Sequence, residues 1–135
     1  MKYRSHGNFF SLPNEIFLWG LSSGAFAVYS FLRRCEDRKT RQCWPSIKTI
    51  GKAVNMSENT VRKYIRQLEE RGIITTEPTE IITKAGEKRN GNLLFTLRPI
   101  QEVIDAHYAR QMDELELTAE RQRVAKLLAK RESPA

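Results

Sequence analysis

Asn59, Thr60, Arg62, Lys63 and Arg66 follow Ser57 closely in the chain, and none of them is a nucleophile or a proton-transfer group at neutral pH. Together they offer amide and hydroxyl hydrogen-bonding groups and long cations. An Arg fork matches O6 and N7 of guanine, and Lys or Arg neutralises phosphate, so the chemistry implied is contact with a nucleic-acid duplex. Asn59, Arg62 and Lys63 are the residues expected to read base edges. Lys48 and Lys52 stand four positions apart, one helical turn, and fit phosphate contact beside the groove. A third group, Lys84, Lys88 and Arg89 with Asn90 as a neutral donor, sits in a glycine-containing turn; its expected contact is a neighbouring backbone or the minor groove, with Glu87 offsetting part of the charge.

Those residues need elements to hold them. From Ser46 to Ile74 the chain reads as two short amphipathic helices joined by a tight turn, with Ile50, Val54, Met56, Val61 and Tyr64 apolar at the spacing that lets one helix lean across another. Gly51 is expected to leave room for the crossing, and Asn55 to make the turn, because Asn tolerates the left-handed conformation. Ser46 and Ser57 are the expected N-caps, Glu58 suits the first turn of the second helix, and Arg71-Gly72 ends it. If Val61, Tyr64, Ile65 and Leu68 face inward, then Ser57, Asn59, Thr60, Arg62, Lys63 and Arg66 face outward, the geometry a major groove accepts. Residues 46 to 66 hold five cations and one anion.

Upstream, Pro13 opens a short helix over 13–18 within an apolar cluster of Phe9, Phe10, Leu12, Ile16, Phe17, Leu18 and Trp19, expected to cover one side of the core. A second helix runs from Ser22 or Ser23 to about Arg34 with Phe26, Val28, Tyr29 and Leu32 inward. Residues 35–44 read as a charged loop, whose Arg33, Arg34, Arg38, Lys39 and Arg41 surroundings are interrupted by Glu36 and Asp37 and read as solvated. Trp44 and Tyr64 are expected in the core. Downstream, β-branched Ile73 to Thr76 and alternating Asn92 to Leu97 predict two strands of a hairpin with a basic tip. From Ile100 to Arg131 there is neither Gly nor Pro, which predicts one helix or two, with a break near Leu117-Thr118 that is either a kink or a new start capped by Thr118. Ser133-Pro134-Ala135 is expected to fray.

The totals exclude several classes. A chain of 135 residues fits one domain with a helical appendage, and no apolar run reaches the length a bilayer requires. Cys35, Cys43, His6 and His107 match no metal-ligand spacing, so no metal and no cofactor is expected. Two free thiols and the lack of an export signal suggest the cytoplasm. No nucleophile elbow, phosphate loop or dinucleotide glycine pattern occurs, so an enzyme is not expected. The net charge is +7. Residues 1–99 carry 17 Lys and Arg against 9 Asp and Glu, whereas residues 100–135 carry 6 against 7, so the attraction for polyanions belongs to the part holding the two-helix motif.

The order of parts from Trp44 to Ile74, Pro45-Ser46 followed by I-x-x-I, then N-M-S-x-N-T-V, then L-E-E-R-G-I-I, resembles the helix-turn-helix of the winged-helix superfamily. More narrowly, Phe9 to Arg98 is similar to winged-helix domains of replication-initiator and replisome-organiser proteins of plasmids, phages and mobile elements, and of related bacterial regulators. The resemblance implies a mainly α fold with a small β-hairpin: a winged helix-turn-helix with a short N-terminal helix and a long C-terminal one. It places the DNA-binding domain at 1–99, with the helix-turn-helix at 46–71 and the wing at 73–98, and leaves 100–135 as a helical extension. Gly51 stands where that family commonly has Ala, and Asn55 where it has Gly. The function expected is sequence-specific binding to double-stranded DNA, as a replication initiator-like or transcriptional regulatory factor; the alternative is a winged-helix protein-interaction module. The leucines and valine of residues 115–128 suggest a homodimer through the C-terminal helix.

Overall fold

A computed structural model describes residues 8–132; His6 and the segment 133–135 lie outside them. The chain divides into two compact units, with the boundary between Ile100 and Gln101. In order, the elements are a 3-10 turn Asn14–Leu18, α1 Ser23–Cys35, β1 Gln42–Cys43, α2 Ile47–Val54, α3 Glu58–Glu70, β2 Ile74–Glu77, β3 Glu80–Ile82, β4 Lys88–Asn90, β5 Leu94–Leu97 and α4 Ile100–Glu132.

Three serines start the three helices of the first unit by the same device. Ser22, Ser46 and Ser57 each hold an extended backbone and accept a hydrogen bond from the amide three residues on: Ala25 at 3.4 Å, Thr49 at 3.0 Å and Thr60 at 3.3 Å. Helix α3 ends in a Schellman arrangement, in which Gly72 takes a φ of 70°, its amide reaches Glu69 O and the Ile73 amide reaches Leu68 O. That reversal sends the chain directly into β2.

The core of this unit is aliphatic and aromatic: Ile16, Val28, Tyr29, Leu32, Ile50, Val61, Leu68, Ile73, Ile74, Phe95 and Leu97 are fully buried. Helices α1 and α3 contribute at helical spacing, and the central strand β5 at every second position through Phe95 and Leu97. The sheet β1-β5-β2 is antiparallel, with Thr75 and Gln42 both opposite Thr96 on the central strand β5. A separate antiparallel pair, β3-β4, carries the hairpin outward, with Ile81 opposite Arg89 and Ile82 opposite Lys88. The hairpin is pinched between these two sheets. Pro78 lacks an amide for the ladder, the Gly91 amide bonds to Thr79 O at 2.7 Å, and a Cβ on Gly91 would lie 2.5 Å from Thr79 Oγ1.

The structure departs from the sequence reading in five places. The segment 35–44 ends in β1, because Gln42 and Cys43 find the free edge of β5. The single expected hairpin is four strands in two sheets. Of the N-terminal apolar cluster, Ile16 and Trp19 are buried, whereas Phe9, Phe10, Phe17 and Leu18 are exposed, Phe17 at 80% while stacking on Phe26; the 3-10 turn has too few residues to bury more than one side. Trp44 is 53% exposed and Tyr64 half-buried. Finally, α4 is one continuous helix: Thr118 Oγ1 donates to Glu114 O at 2.9 Å, the back-bond of a Thr inside a helix rather than the cap of a new one.

Gly51 also has a different role from the one its position suggests. A Cβ there would lie 2.7 Å from the carbonyl oxygen of Met56 and at ordinary contact distance, 3.7 Å, from Val61 of α3. The glycine therefore serves the turn, in which Asn55 is left-handed at φ 57° and the Met56 amide returns to Gly51 O. Gly51→Ala should destabilise the protein by about 1 to 3 kcal/mol through this backbone clash, despite the better helix propensity of Ala, and urea unfolding monitored by circular dichroism measures it.

Burial sets the state of both thiols. Desolvation raises Cys35 to about 11, against a smaller lowering by Arg34, and raises Cys43 to about 12, with Cys35 adding to the rise. A folded pKa above the unfolded value means that this stabilisation is complete below the unfolded pKa of about 8.5 and is lost as pH climbs through 11 to 12. Native protein at pH 8 should react with a thiol-specific reagent at least about tenfold more slowly than urea-unfolded protein.

Candidate nucleic-acid interface

Helix α3 is held by its inner face. Val61, Ile65 and Leu68 are buried against the first unit's core, and Tyr64 lies over Gly24 of α1, where an added Cβ would fall 2.1 Å from the ring. At about 100° per residue this fixes what faces away. Asn59, Arg62, Lys63 and Arg66 are all exposed. Arg62 Nη1 donates to Asn59 Oδ1 at 3.2 Å, and its other terminal nitrogen stands 4.0 Å from Glu58, so the guanidinium lies along the first turn of the helix. Both side chains of that ion pair are about half exposed, which leaves it weak and easily exchanged for another anion. Lys63 Nζ lies 5.4 Å from the centroid of the Tyr64 ring.

Ser57 and Thr60 have structural work. Ser57 Oγ accepts from the Thr60 amide and shares a 2.8 Å hydrogen bond with Thr60 Oγ1, so both hydroxyls serve the cap. Their effect on a bound anion would come through the positive end of α3 that they keep in order.

Lys48 and Lys52, exposed on α2, line with Asn55, Met56, Ser57 and Glu58 a shallow open groove at the turn. This brings the two lysines and the start of α3 onto one surface. Lys84, Lys88 and Arg89 stand apart from it on the β3-β4 hairpin, all exposed, with Arg89 3.6 Å from Glu87. The tip is closed by the Gly86 amide to Thr83 O and the Thr83 amide to Glu87 O, both 2.9 Å, with Gly86 at φ 77°.

Three features escaped the sequence reading. The exposed Trp44 lies three residues before α2, and its carbonyl accepts from Asn92 Nδ2 at 3.1 Å, which ties the chain just ahead of β5 to the chain just ahead of the two-helix motif. Ile81 and Ile82 are both exposed on the hairpin, Ile82 at 74%, and so put apolar surface among its cations. Arg71 is spent inside the fold, donating to Trp19 O at 2.6 Å. The Pro45-Ser46 pair and the position of Pro78 were signals for the first two; for Arg71 no local signal exists, since its partner is distant in sequence.

A family model described as a helix-turn-helix domain matches residues 20–74, which span α1, α2, α3 and the start of β2. No curated protein matches the chain. Among solved structures, a possible transcriptional regulator from Methanosarcina mazei superposes with a TM-score of 0.51 at 15% identity, covering 76% of this chain and 80% of its own. A MarR-family transcriptional regulator from Silicibacter pomeroyi gives a TM-score of 0.43 at 17% identity, covering 86% of this chain and 73% of its own. Residues 20–74 are thus similar to a helix-turn-helix domain, and with the strands that follow the first unit has the fold of a winged helix-turn-helix.

Proposed function

We propose that this protein binds double-stranded DNA sequence-specifically and acts as a regulator, with α3 in the major groove. The observation that carries the reading is the outward face of α3, where Asn59, Arg62, Lys63 and Arg66 are exposed while the opposite face is fully committed to the core. In this reading Asn59, Arg62 and Lys63 reach base edges, Arg66 and the α2 lysines Lys48 and Lys52 contact phosphate, and the ordered start of α3 at Ser57 and Thr60 faces the backbone. Lys84, Lys88 and Arg89 contact the adjacent backbone or minor groove. The Arg62–Asn59 bond favours this use, since it holds both side chains extended along the first turn before any contact is made.

A regulatory role fits a protein whose chemistry is recognition alone, and the fold neighbour from Methanosarcina mazei is described as a possible transcriptional regulator. Initiation of replication, the other process suggested by the resemblance of the motif, would use the same surface. Two copies joined through α4 would present two recognition helices to paired half-sites on one duplex. The five exposed cations of residues 46–66 favour this reading over a protein-interaction module, which does not require them.

Selection of bound duplexes from a random DNA pool tests the reading: one enriched sequence is expected, and no enrichment overturns it. With four or five phosphates neutralised per subunit, log K should fall with log salt at a slope of about −4, whereas a nearly flat response rules out the groove geometry. Arg62→Ala with Lys63→Ala should weaken the selected site by more than about tenfold. Replacing Lys84, Lys88 and Arg89 by Ala should instead weaken all duplexes about equally and make the salt slope shallower by about 2 to 3. Fluorescence anisotropy titrations at several salt concentrations measure both.

A further inference from the structure

Helix α4 has an organisation of its own. Ile104, Tyr108, Met112 and Leu115 form one stripe and Leu117, Val124 and Leu128 another, and at about 100° per residue the two lie on nearly opposite faces. Every side chain from Ala109 to Arg131 is exposed, including Leu117 and Leu128 at 53% and 52%. Charge is divided along the same stretch. Residues 113–120 carry Asp113, Glu114, Glu116 and Glu120 and no cation, while residues 121–131 carry Arg121, Arg123, Lys126, Lys130 and Arg131 and no anion.

We propose that α4 pairs with α4 of a second copy in antiparallel orientation, in the register that sets Leu117 of each helix against Leu128 of the other. The inference rests on the pairing of copies through this helix proposed above and adds its direction and alignment. Parallel pairing would stack four acids on four acids and five bases on five bases, whereas antiparallel pairing sets each acidic half on a basic half. The register follows from the stripe. Glu114, Leu117, Arg121, Val124, Leu128 and Arg131 are spaced three, four, three, four and three, the seam of a coiled coil, and reversing one copy superimposes this seam on itself. The layers are then Glu114 on Arg131, Leu117 on Leu128 and Arg121 on Val124, each occurring twice about the symmetry axis. Charged pairs close both ends, and at the centre the Arg121 stem covers Val124 while its head reaches solvent. The paired segment is about 27 Å long and its apolar area is small, so the association is of the weak, concentration-dependent kind.

The test is sedimentation equilibrium of the full chain and its variants. The parent should dimerise with a dissociation constant of about 10 to 100 μM; monomer alone up to about 0.5 mM overturns the proposal. Leu128→Glu, at a position exposed in the single copy, should raise the constant by at least about a hundredfold with the helix content of the chain kept. Glu114→Lys should raise it by about tenfold, and the added change Arg131→Glu should restore it to within about twofold. A parallel dimer would pair position 114 with itself, and an unchanged constant for Glu114→Lys overturns the orientation. Air oxidation of an equal mixture of Leu117→Cys and Leu128→Cys chains should give the mixed disulfide; predominance of the two like pairs has the same adverse meaning. Cys35 and Cys43 stay protonated under these conditions and do not compete. Titrating the same samples with a mixed-sequence duplex of about 20 base pairs separates this inference from the DNA reading. A dimer that ignores DNA refutes only that reading, and a monomer that binds it refutes only the pairing.

Discussion

The burial of Val61, Ile65 and Leu68 is the constraint on which the rest depends. Each such side chain contributes about 1.5 to 3 kcal/mol when removed from water, whereas the exposed pair of Arg62 with Glu58 contributes well under about 1 kcal/mol. The orientation of α3 is therefore decided by its inner face. Because a helix is rigid over thirteen residues, fixing one face fixes the other, and the cations are presented without any interaction of their own having to hold them there. The groups proposed to read DNA sit on the side of the helix that stability does not use.

Two backbone devices keep that helix in place. The turn before it is so tight that Gly51 and Met56 O approach too closely for a side chain between them, with Asn55 left-handed at the corner. The reversal after it, through Gly72, joins α3 directly to β2, whose Ile74 is buried in the same core. Between them the start and end of α3 are determined to within a residue. The sheet then ties the remaining parts together: β5 accepts β2 on one edge and β1 on the other, and Asn92 reaches the carbonyl of Trp44 ahead of α2. Beyond the pinch at Thr79 and Gly91 the β3-β4 hairpin has no buried residue, so no packed core fixes its placement.

Helix α4 follows another logic. Val103 in its first turn is buried, but from 109 to 131 every side chain is in solvent, so the stability of that stretch comes from Ala, Leu, Glu, Gln, Arg and Lys favouring the helical conformation. Its two apolar stripes on opposite faces cancel as a single amphipathic signal. That cancellation is the physical reason for expecting a break at Leu117-Thr118, where the structure has an unbroken helix and a Thr bonded back to Glu114.

What the amino-acid sequence determined by itself is local: the three serine caps, the left-handed Asn55, the glycine after α3, the apolar spacing of α1, α2 and α3, and hence the outward set from Asn59 to Arg66. These depend on hydrogen bonds and periodicity within a few residues, which a sequence displays directly. Tertiary structure alone decided the rest. Strand β1 exists because β5 has a free edge for Gln42 and Cys43, though two residues carry no strand signal. Trp44 faces solvent while Trp19 is buried, and Phe17 is exposed two positions from Trp19, because the amount of core available to a short turn depends on what α1 and α3 already fill. Arg71, in a run of charges, is withdrawn to the carbonyl of Trp19. Burial at a given position is a property of the whole packed assembly, so composition and spacing announce which face of a helix turns inward but not how much room it will find there.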